Sequence, residues 1–261
     1  MILVVSGATG GHLYPALALT TQLNERSFYV VSRQFPAKNI LDTYNQPFQV
    51  VRTSFKSMVT MPFKTLWLLI RKKPRVILLM GGQICVPFAL MGWIFRIPLI
   101  SFEQNTIPGR ATRFVQYFVN DIITTFESTK SRLKSKSKVQ CLGNPIRING
   151  GSSKDLPDKL NDIKGNTLLV IGGSQGAKGL NQFIEKGYKE ILASGMNIIH
   201  LTGDTYFKNK PERQIFENHQ EKVYIAMPYI ENMNRLFKLA THVICRAGAT
   251  TLSELLMYGL P

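Results

Sequence analysis

Acidic side chains are scarce in this chain: 16 Asp and Glu stand against 32 Lys and Arg in 261 residues, a formal net charge of +16. Such a balance excludes an acidic surface and favours anionic partners, whether nucleic acid, lipid headgroups or phosphorylated substrates, unless it is only a basic solvated surface. Cysteine is scarce too. Cys85, Cys141 and Cys245 lie far apart with no Cys-x-x-Cys pair, and two sit in apolar runs, which suits buried thiols in a reducing cytosol. Also missing is an unbroken apolar span: residues 76–102 are almost all apolar, but Gly81-Gly82-Gln83, Pro87, Arg96 and Pro98 interrupt them, whereas a spanning helix needs about 20 such residues in a row. The opening residues lack the basic start and small-residue cleavage site of a signal peptide, so export is not expected. A hydrophobic content of 44% supplies real cores and argues against disorder.

What the chain does have is two glycine-rich turns, each following a short apolar strand. Ile2-Leu3-Val4-Val5 runs into Ser6-Gly7-Ala8-Thr9-Gly10-Gly11-His12, and Leu168-Leu169-Val170-Ile171 into Gly172-Gly173-Ser174-Gln175-Gly176-Ala177. A strand that turns on glycine into a helix lets backbone N–H groups approach an anion, and the helix N-terminus adds partial positive charge. Neither turn has the G-x-G-x-x-G spacing of a dinucleotide fingerprint, and no Walker Lys-Ser/Thr follows. A nicotinamide oxidoreductase and a P-loop NTPase both lose ground.

Alternation of strands and helices continues along both halves. In the first, Leu13, Ala16, Leu17 and Leu23 mark a helix face, Phe28 to Val31, Phe48 to Val51 and Ile122 to Thr125 read as strands, and residues 76–102 divide into strand (Val76 to Met80), glycine turn, helix (Ile84 to Phe95) and strand (Leu99 to Phe102). Continuous apolar strands of this kind are covered on both faces, as in parallel sheets. A Gly-, Asn- and Ser-rich break at residues 143–153 marks a linker. Strands then recur at Thr167 to Ile171, Asn197 to Leu201, Val223 to Ala226 and His242 to Cys245, with helices after Ala177, from about Glu231 and from about Leu252. The fold class is therefore α/β, with two doubly wound domains at 1–147 and 165–261 joined by a linker at 148–164, and with ligands at the carboxyl ends of the strands.

One basic stretch is interleaved with bulky apolar groups: Lys64, Trp67, Leu68, Arg71 and Lys72, flanked by Phe63 and Ile70. Cations beside aromatic and aliphatic side chains suit a surface that dips into an anionic membrane face without spanning it. An ordinary core helix with a basic end has the same spacing.

Several motifs in fixed order carry a family resemblance. Gly7-Ala8-Thr9-Gly10-Gly11-His12-Leu13-Tyr14-Pro15, Glu103-Gln104-Asn105, Gly143-Asn144-Pro145-Ile146-Arg147, Gly172-Gly173-Ser174-Gln175-Gly176-Ala177 and Cys245-Arg246-Ala247-Gly248-Ala249 through Ser253-Glu254 together resemble the MurG family of glycosyltransferases, family 28. The resemblance implies a GT-B fold, two Rossmann-like domains facing a cleft. It implies inverting transfer of N-acetylglucosamine from UDP-N-acetylglucosamine to lipid I, the undecaprenyl-pyrophosphoryl-MurNAc-pentapeptide, giving lipid II for peptidoglycan. It further implies a peripheral enzyme at the cytoplasmic face of the cell membrane, with an anionic lipid surface and cell-wall or division proteins as partners, and with no cofactor, no metal and no nucleic acid. His12, His200, His219 and His242 show no ligand spacing, which agrees with the metal-free reading.

Site residues follow from matching positions. His12 opens a helix, where the positive dipole end favours a neutral imidazole that can take the acceptor hydroxyl's proton or orient the acceptor; the alternative is a first-turn histidine bonded only to backbone. Glu103, at a strand end, is the rival base or a bonding partner for its own loop. Ser174, with the N–H groups around Gln175, and Arg147 would hold the diphosphate, and Asn105 with Thr9, Gly10 and Gly11 would face the transferred sugar. Asn181 and Arg246 also match the family pattern. Ile230 matches a backbone position that receives uracil, with apolar packing as the alternative. Thr251-x-x-Glu254 is a capping box by its chemistry; the resemblance instead gives Glu254 the ribose hydroxyls, with Ala249, Thr250, Leu252 and Ser253 around it.

Two departures fall on the acceptor side: Gln83 replaces the family's usual aromatic residue, and Phe102 its usual histidine. The pattern also runs on beyond Gly259-Leu260-Pro261, so the second domain is expected to be incomplete here. A different glycolipid acceptor, or a non-catalytic remnant that docks at a membrane, are the readings these departures leave open.

Overall fold

The most apolar runs become interior strands buried on both faces, and the helices between them do the burying. A computed structural model describes every residue except 24, 52–54, 135–137, 147–157, 162, 204–215, 220–221, 229 and 231–232. It divides into two compact units, Met1–Arg147 and Ile148–Pro261.

In the first unit, β1 (Ile2–Ser6), β2 (Ser27–Val31), β3 (Phe48–Val50), β4 (Val76–Leu79), β5 (Leu99–Glu103), β6 (Asp121–Thr124) and β7 (Lys138–Cys141) form a seven-stranded sheet in the order β3-β2-β1-β4-β5-β6-β7. Every pairing is parallel. Helices α1 (Gly10–Gln22), α2 (Ala37–Thr43), α3 (Phe55–Lys72), α4 (Cys85–Ile94), α5 (Arg110–Val115) and α6 (Glu127–Lys130) make the crossovers. Leu3, Val5, Ile77 and Leu79 from the central strands pack with Phe88 and Ala89 of α4 and Leu68 and Leu69 of α3 in one core. Succession runs outward from β1 toward β3 and from β4 toward β7, so the order reverses between β1 and β4. Their carboxyl ends open a crevice there, the usual ligand position in such sheets.

In the second unit, β8 (Thr167–Ile171), α7 (Lys178–Ala193), β9 (Asn197–Leu201), β10 (Phe216–His219), β11 (Lys222–Met227), α8 (Asn234–Leu239), β12 (His242–Cys245) and α9 (Ala249–Tyr258) give a sheet ordered β10-β11-β9-β8-β12. All pairings are parallel except β10 with β11. β8, central and buried throughout, has cores on both faces, one against α8 and α9 and one against α7. Here the order reverses between β8 and β12, and the turn after each strand leads into α7 or α9.

Candidate functional site

In the first unit the site is assembled at the carboxyl ends of β1, β4 and β5. The turn after β1 leads into α1, whose N-cap Thr9 makes no side-chain capping bond, and no acidic residue occupies the first helical turn. The leading N–H groups are thus left without a capping side chain, the arrangement that receives anions. Thr9 and Gly11 are exposed, Gly10 is buried and His12 is half-buried. The turns after β1 and β4 are tied together, with the Gly7 N–H donating to the Gly81 carbonyl at 2.9 Å. The His12 imidazole fills the notch they leave: a Cβ on Gly81 would come within 2.9 Å of the ring, and one on Gly7 within 3.0 Å. Gly81 also has φ +105°, so both space and backbone require glycine there. His12 Nδ1 lies 3.1 Å from Gln104 Oε1, and the Gln104 amide nitrogen donates to the Met80 carbonyl at 3.0 Å. Among the described residues, Nε2 of His12 has no hydrogen-bond partner.

Glu103 and Asn105 flank Gln104 with different tasks. The Glu103 carboxylate is buried and accepts from the backbone and side-chain nitrogens of Asn105, both at 3.0 Å, and from the Gly109 N–H at 3.0 Å. Both oxygens are therefore committed to folding the 103–109 loop, the second of the two roles the sequence allows it. The Asn105 carbonyl accepts from the Thr129 hydroxyl at 3.1 Å, while the residue stays exposed. Gln83 is exposed. Phe102 is among the largest fully buried side chains, so it is a core residue and not a surface that an acceptor meets, a correction to the sequence reading.

In the second unit the turn after β8 is set by backbone packing. A Cβ on Gly203 would lie 2.1 Å from the Gly176 nitrogen, and one on Gly176 would lie 2.2 Å from the Thr202 carbonyl oxygen. Two glycine turns thus touch main chain to main chain. Ser174 is half-buried and Gln175 exposed beside the start of α7, whose N-cap Ala177 makes no side-chain bond. The turn after β12 likewise enters α9 through an N-cap Gly248 without a side-chain bond, with Arg246 exposed before it. Neither helix has an acidic residue in its first turn. Two positive helix ends lie at the switch point of this sheet, with the exposed Arg246 in the turn before α9.

Several expectations change. Asn181 is 0% exposed: its amide nitrogen donates to the Thr202 carbonyl at 2.8 Å, and its oxygen faces His200 Nε2 at 3.1 Å. It supports the turn after β9 from within the core and does not present itself at the surface. His200, also 0% exposed, completes the chain through Nδ1 and the Tyr224 hydroxyl at 2.9 Å. Burial pushes its pKa down to about 4, outweighing the opposing charge of Glu185. Because α9 starts at Ala249, Thr251 is not its N-cap, and the capping-box reading of Thr251 and Glu254 fails. Ala249, Thr250, Thr251, Leu252 and Ser253 form the half-buried first turns, with the Ser253 hydroxyl donating to the Ala249 carbonyl at 2.8 Å, and Glu254 is buried. The Ile230 side chain packs in the core with Met227 and Met233. Arg147 lies outside the described residues.

The basic helix α3 is apolar on two faces. Met61, Leu68 and Leu69 are buried in the first core, so Leu68, expected on the surface patch, belongs to the interior; its spacing fits either stripe. Phe63, Trp67 and Ile70, at 73%, 52% and 62% exposure, form a separate outer stripe. Lys64 and Arg71 flank that stripe, and the Arg71 guanidinium lies 5.0 Å from the Trp67 ring. Lys72 instead lies over the Phe28 ring at 3.6 Å. α3 packs on α4, whose end exposes Trp93, Ile94 and Phe95 beside a groove of about 590 Å³ lined by Trp93, Arg96 and Phe118. That groove opens near Leu99, at the other end of β5 from His12. Among the described residues, no helix is long and apolar enough to cross a membrane.

Sequence reasoning missed Gln104, Thr202 and Gly203 as parts of these sites. Gln104 had a signal, since it stands between two residues that matched the family pattern; the other two had none until the turns were seen in contact.

Comparison with known proteins agrees with this fold. Residues 2–124 match the glycosyltransferase family 28 N-terminal domain and residues 167–261 its C-terminal domain. A protein of Desulfotalea psychrophila, named UDP-N-acetylglucosamine N-acetylmuramyl-(pentapeptide) pyrophosphoryl-undecaprenol N-acetylglucosamine transferase, is 31% identical over 100% of this chain and 74% of its own length. A protein of the same name from Ruminiclostridium cellulolyticum is 28% identical over 100% of this chain and 77% of its own. The crystal structure of Acinetobacter baumannii MurG, 22% identical, shares the fold with a TM-score of 0.66 over 97% of this chain and 74% of that one. The chain belongs to glycosyltransferase family 28.

Proposed function

We propose that this chain transfers N-acetylglucosamine from UDP-N-acetylglucosamine to undecaprenyl-pyrophosphoryl-MurNAc-pentapeptide, yielding lipid II. The observation that carries the reading is the His12 notch: an imidazole fixed at the switch point of a parallel sheet, with one ring nitrogen held and the other unpartnered among the described residues. In the transfer, the acceptor hydroxyl oxygen bonds to the anomeric carbon, its proton passes to His12 Nε2, and the bond to the diphosphate breaks with its electron pair leaving on UDP. The uncapped starts of α7 and α9, with Arg246, stabilise the charge that develops on that leaving group. Ser174 and Gln175 supply donors beside α7, and Arg147 adds a cation. Glu254 holds the ribose hydroxyls, and the backbone at Ile230 receives the uracil. Thr9, Gly10, Gly11 and Asn105 contact the transferred sugar. Glu103 acts on the reaction only through the loop it folds.

The lipid acceptor is met at an anionic membrane face. Phe63, Trp67 and Ile70 enter the interface, while Lys64 and Arg71 pair with headgroups. This makes the protein peripheral to the cytoplasmic leaflet.

Calorimetric titration of the purified chain with UDP-N-acetylglucosamine, with UDP-glucose and NAD as competitors, tests the donor assignment. Saturable binding that UDP-glucose competes for weakly and NAD not at all is expected. A folded sample that binds no UDP-sugar, yet docks on anionic vesicles, would replace the transferase reading with that of a membrane-docking remnant.

A further inference from the structure

We propose that Gln104 sets the tautomer of His12, holding the proton on Nδ1 and thereby making Nε2 the nitrogen that accepts a proton. A glutamine amide has one donating end and one accepting end, so fixing either fixes the other. Here the donating end is fixed by a main-chain group: the Gln104 nitrogen points at the Met80 carbonyl at 3.0 Å, and Met80 itself is fully buried. Turning the amide over would set two carbonyl oxygens against each other in a site where Gln104 is only 3% exposed. The oxygen therefore faces His12, and the 3.1 Å contact with Nδ1 is a bond in which Nδ1–H donates. Turning the imidazole over, between Gly7 on its Cδ2 side and Gly81 on its Cε1 side, would set a ring C–H against the Gln104 oxygen and lose that bond. Nε2 keeps its lone pair and is the ring nitrogen left for an incoming hydroxyl.

The second unit contains the same device with the opposite outcome. There the Asn181 nitrogen donates to the Thr202 carbonyl, so its oxygen accepts from His200 Nε2–H, and Nδ1 accepts from the Tyr224 hydroxyl. One spectrum thus holds two histidines whose tautomers are set by neighbouring amides in opposite senses.

The catalytic consequence rests on the transferase reading; the tautomer itself is readable without turnover. The test is a long-range proton–nitrogen correlation spectrum of the full chain labelled with [15N]histidine, at a pH where imidazoles are neutral. His12 is assigned by its loss in His12→Asn. The expected result is a protonated Nδ1 and a pyridine-type Nε2 for His12, with the reverse for His200. In Gln104→Met, which keeps volume but removes both amide ends, His12 shifts toward Nε2–H, and kcat falls about tenfold or more at unchanged donor KM. An Nε2–H tautomer for His12 in the wild type overturns the proposal, as does a Gln104→Met protein with the wild-type tautomer. If Gln104→Met does not fold, the wild-type spectrum alone decides. A protein with the expected spectrum and no transfer of N-acetylglucosamine keeps the tautomer assignment and loses the transferase reading, whereas turnover with the wrong tautomer does the converse.

Discussion

His12, in the first turn of α1, and His200, near the end of strand β9, each lie beside glycine turns at the carboxyl ends of strands in a doubly wound unit, and their surroundings differ. His12 is half-buried with one ring nitrogen engaged, whereas His200 has no exposure and both nitrogens engaged. The first unit leaves room for an imidazole between its turns; the second closes its turns on each other, main chain to main chain at Gly176 and Gly203. Proton transfer needs a side chain that can change its bonding, while anion binding needs N–H groups that do not move. On the proposed function, the notch of the first unit suits the first task and the closed turns of the second suit the other.

The largest effect expected is from His12→Ala. Removing the base lowers kcat about 10²- to 10⁴-fold while calorimetry finds donor affinity unchanged. A loss of donor binding instead would mean that the two units do not divide the work in this way. Next is Gly203→Ala, in which a Cβ would meet the Gly176 nitrogen at 2.1 Å with φ at +84°. A cost of about 3 kcal/mol or more and a loss of UDP-sugar binding follow, seen by thermal unfolding and titration. Gly179→Ala sharpens this result, because a Cβ there, inside α7, meets nothing within 4 Å and stabilises by about 0.5–1 kcal/mol.

Acid should also report on the buried histidine. With its folded pKa held near 4 against 6.5 when unfolded, His200 is neutral in the fold and takes up a proton more readily in the unfolded chain. Its contribution is therefore complete above pH 6.5 and is lost as pH falls toward 4, by about 3 kcal/mol. Denaturant titrations of wild type and His200→Gln across that range should differ in slope; parallel curves would show that burial of His200 is not what the pH dependence reports. The smallest effects belong to the α3 surface. Arg71→Ser weakens binding to anionic vesicles by about 1 kcal/mol, a several-fold change that salt diminishes, whereas Trp67→Ser weakens it with little dependence on salt.

Much of the fold was legible in the sequence. Thr167–Ile171 and Asn197–Leu201 are strands at the expected residues, because a strand covered on both faces is a bare apolar run between breakers; His242–Cys245 is a strand at the expected residues too, at the sheet's edge and only half-covered. β7 and β10 were not legible: Lys-Val-Gln-Cys and Phe-Glu-Asn-His are short edge strands with polar residues and no such run. α9 begins earlier than expected because its N-cap is Gly248, which offers no side-chain signal, while Thr251 imitated one. At the sites, local motifs located the turns and His12. The roles of Gln104 and Asn181 were hidden, since each depends on partners far along the chain, Gln104 on His12 and Asn181 on His200. Burial of Leu68 and exposure of Trp67 were equally invisible, because two apolar stripes share one helix.

The most direct measurement is the rate of N-acetylglucosamine transfer from UDP-N-acetylglucosamine to lipid I by the wild-type chain and by His12→Ala, both at saturating donor. Lipid II formed by the wild type and suppressed at least about a hundredfold in the variant is the predicted result. Equal rates, or no lipid II from a folded wild type that binds the donor, would contradict the account.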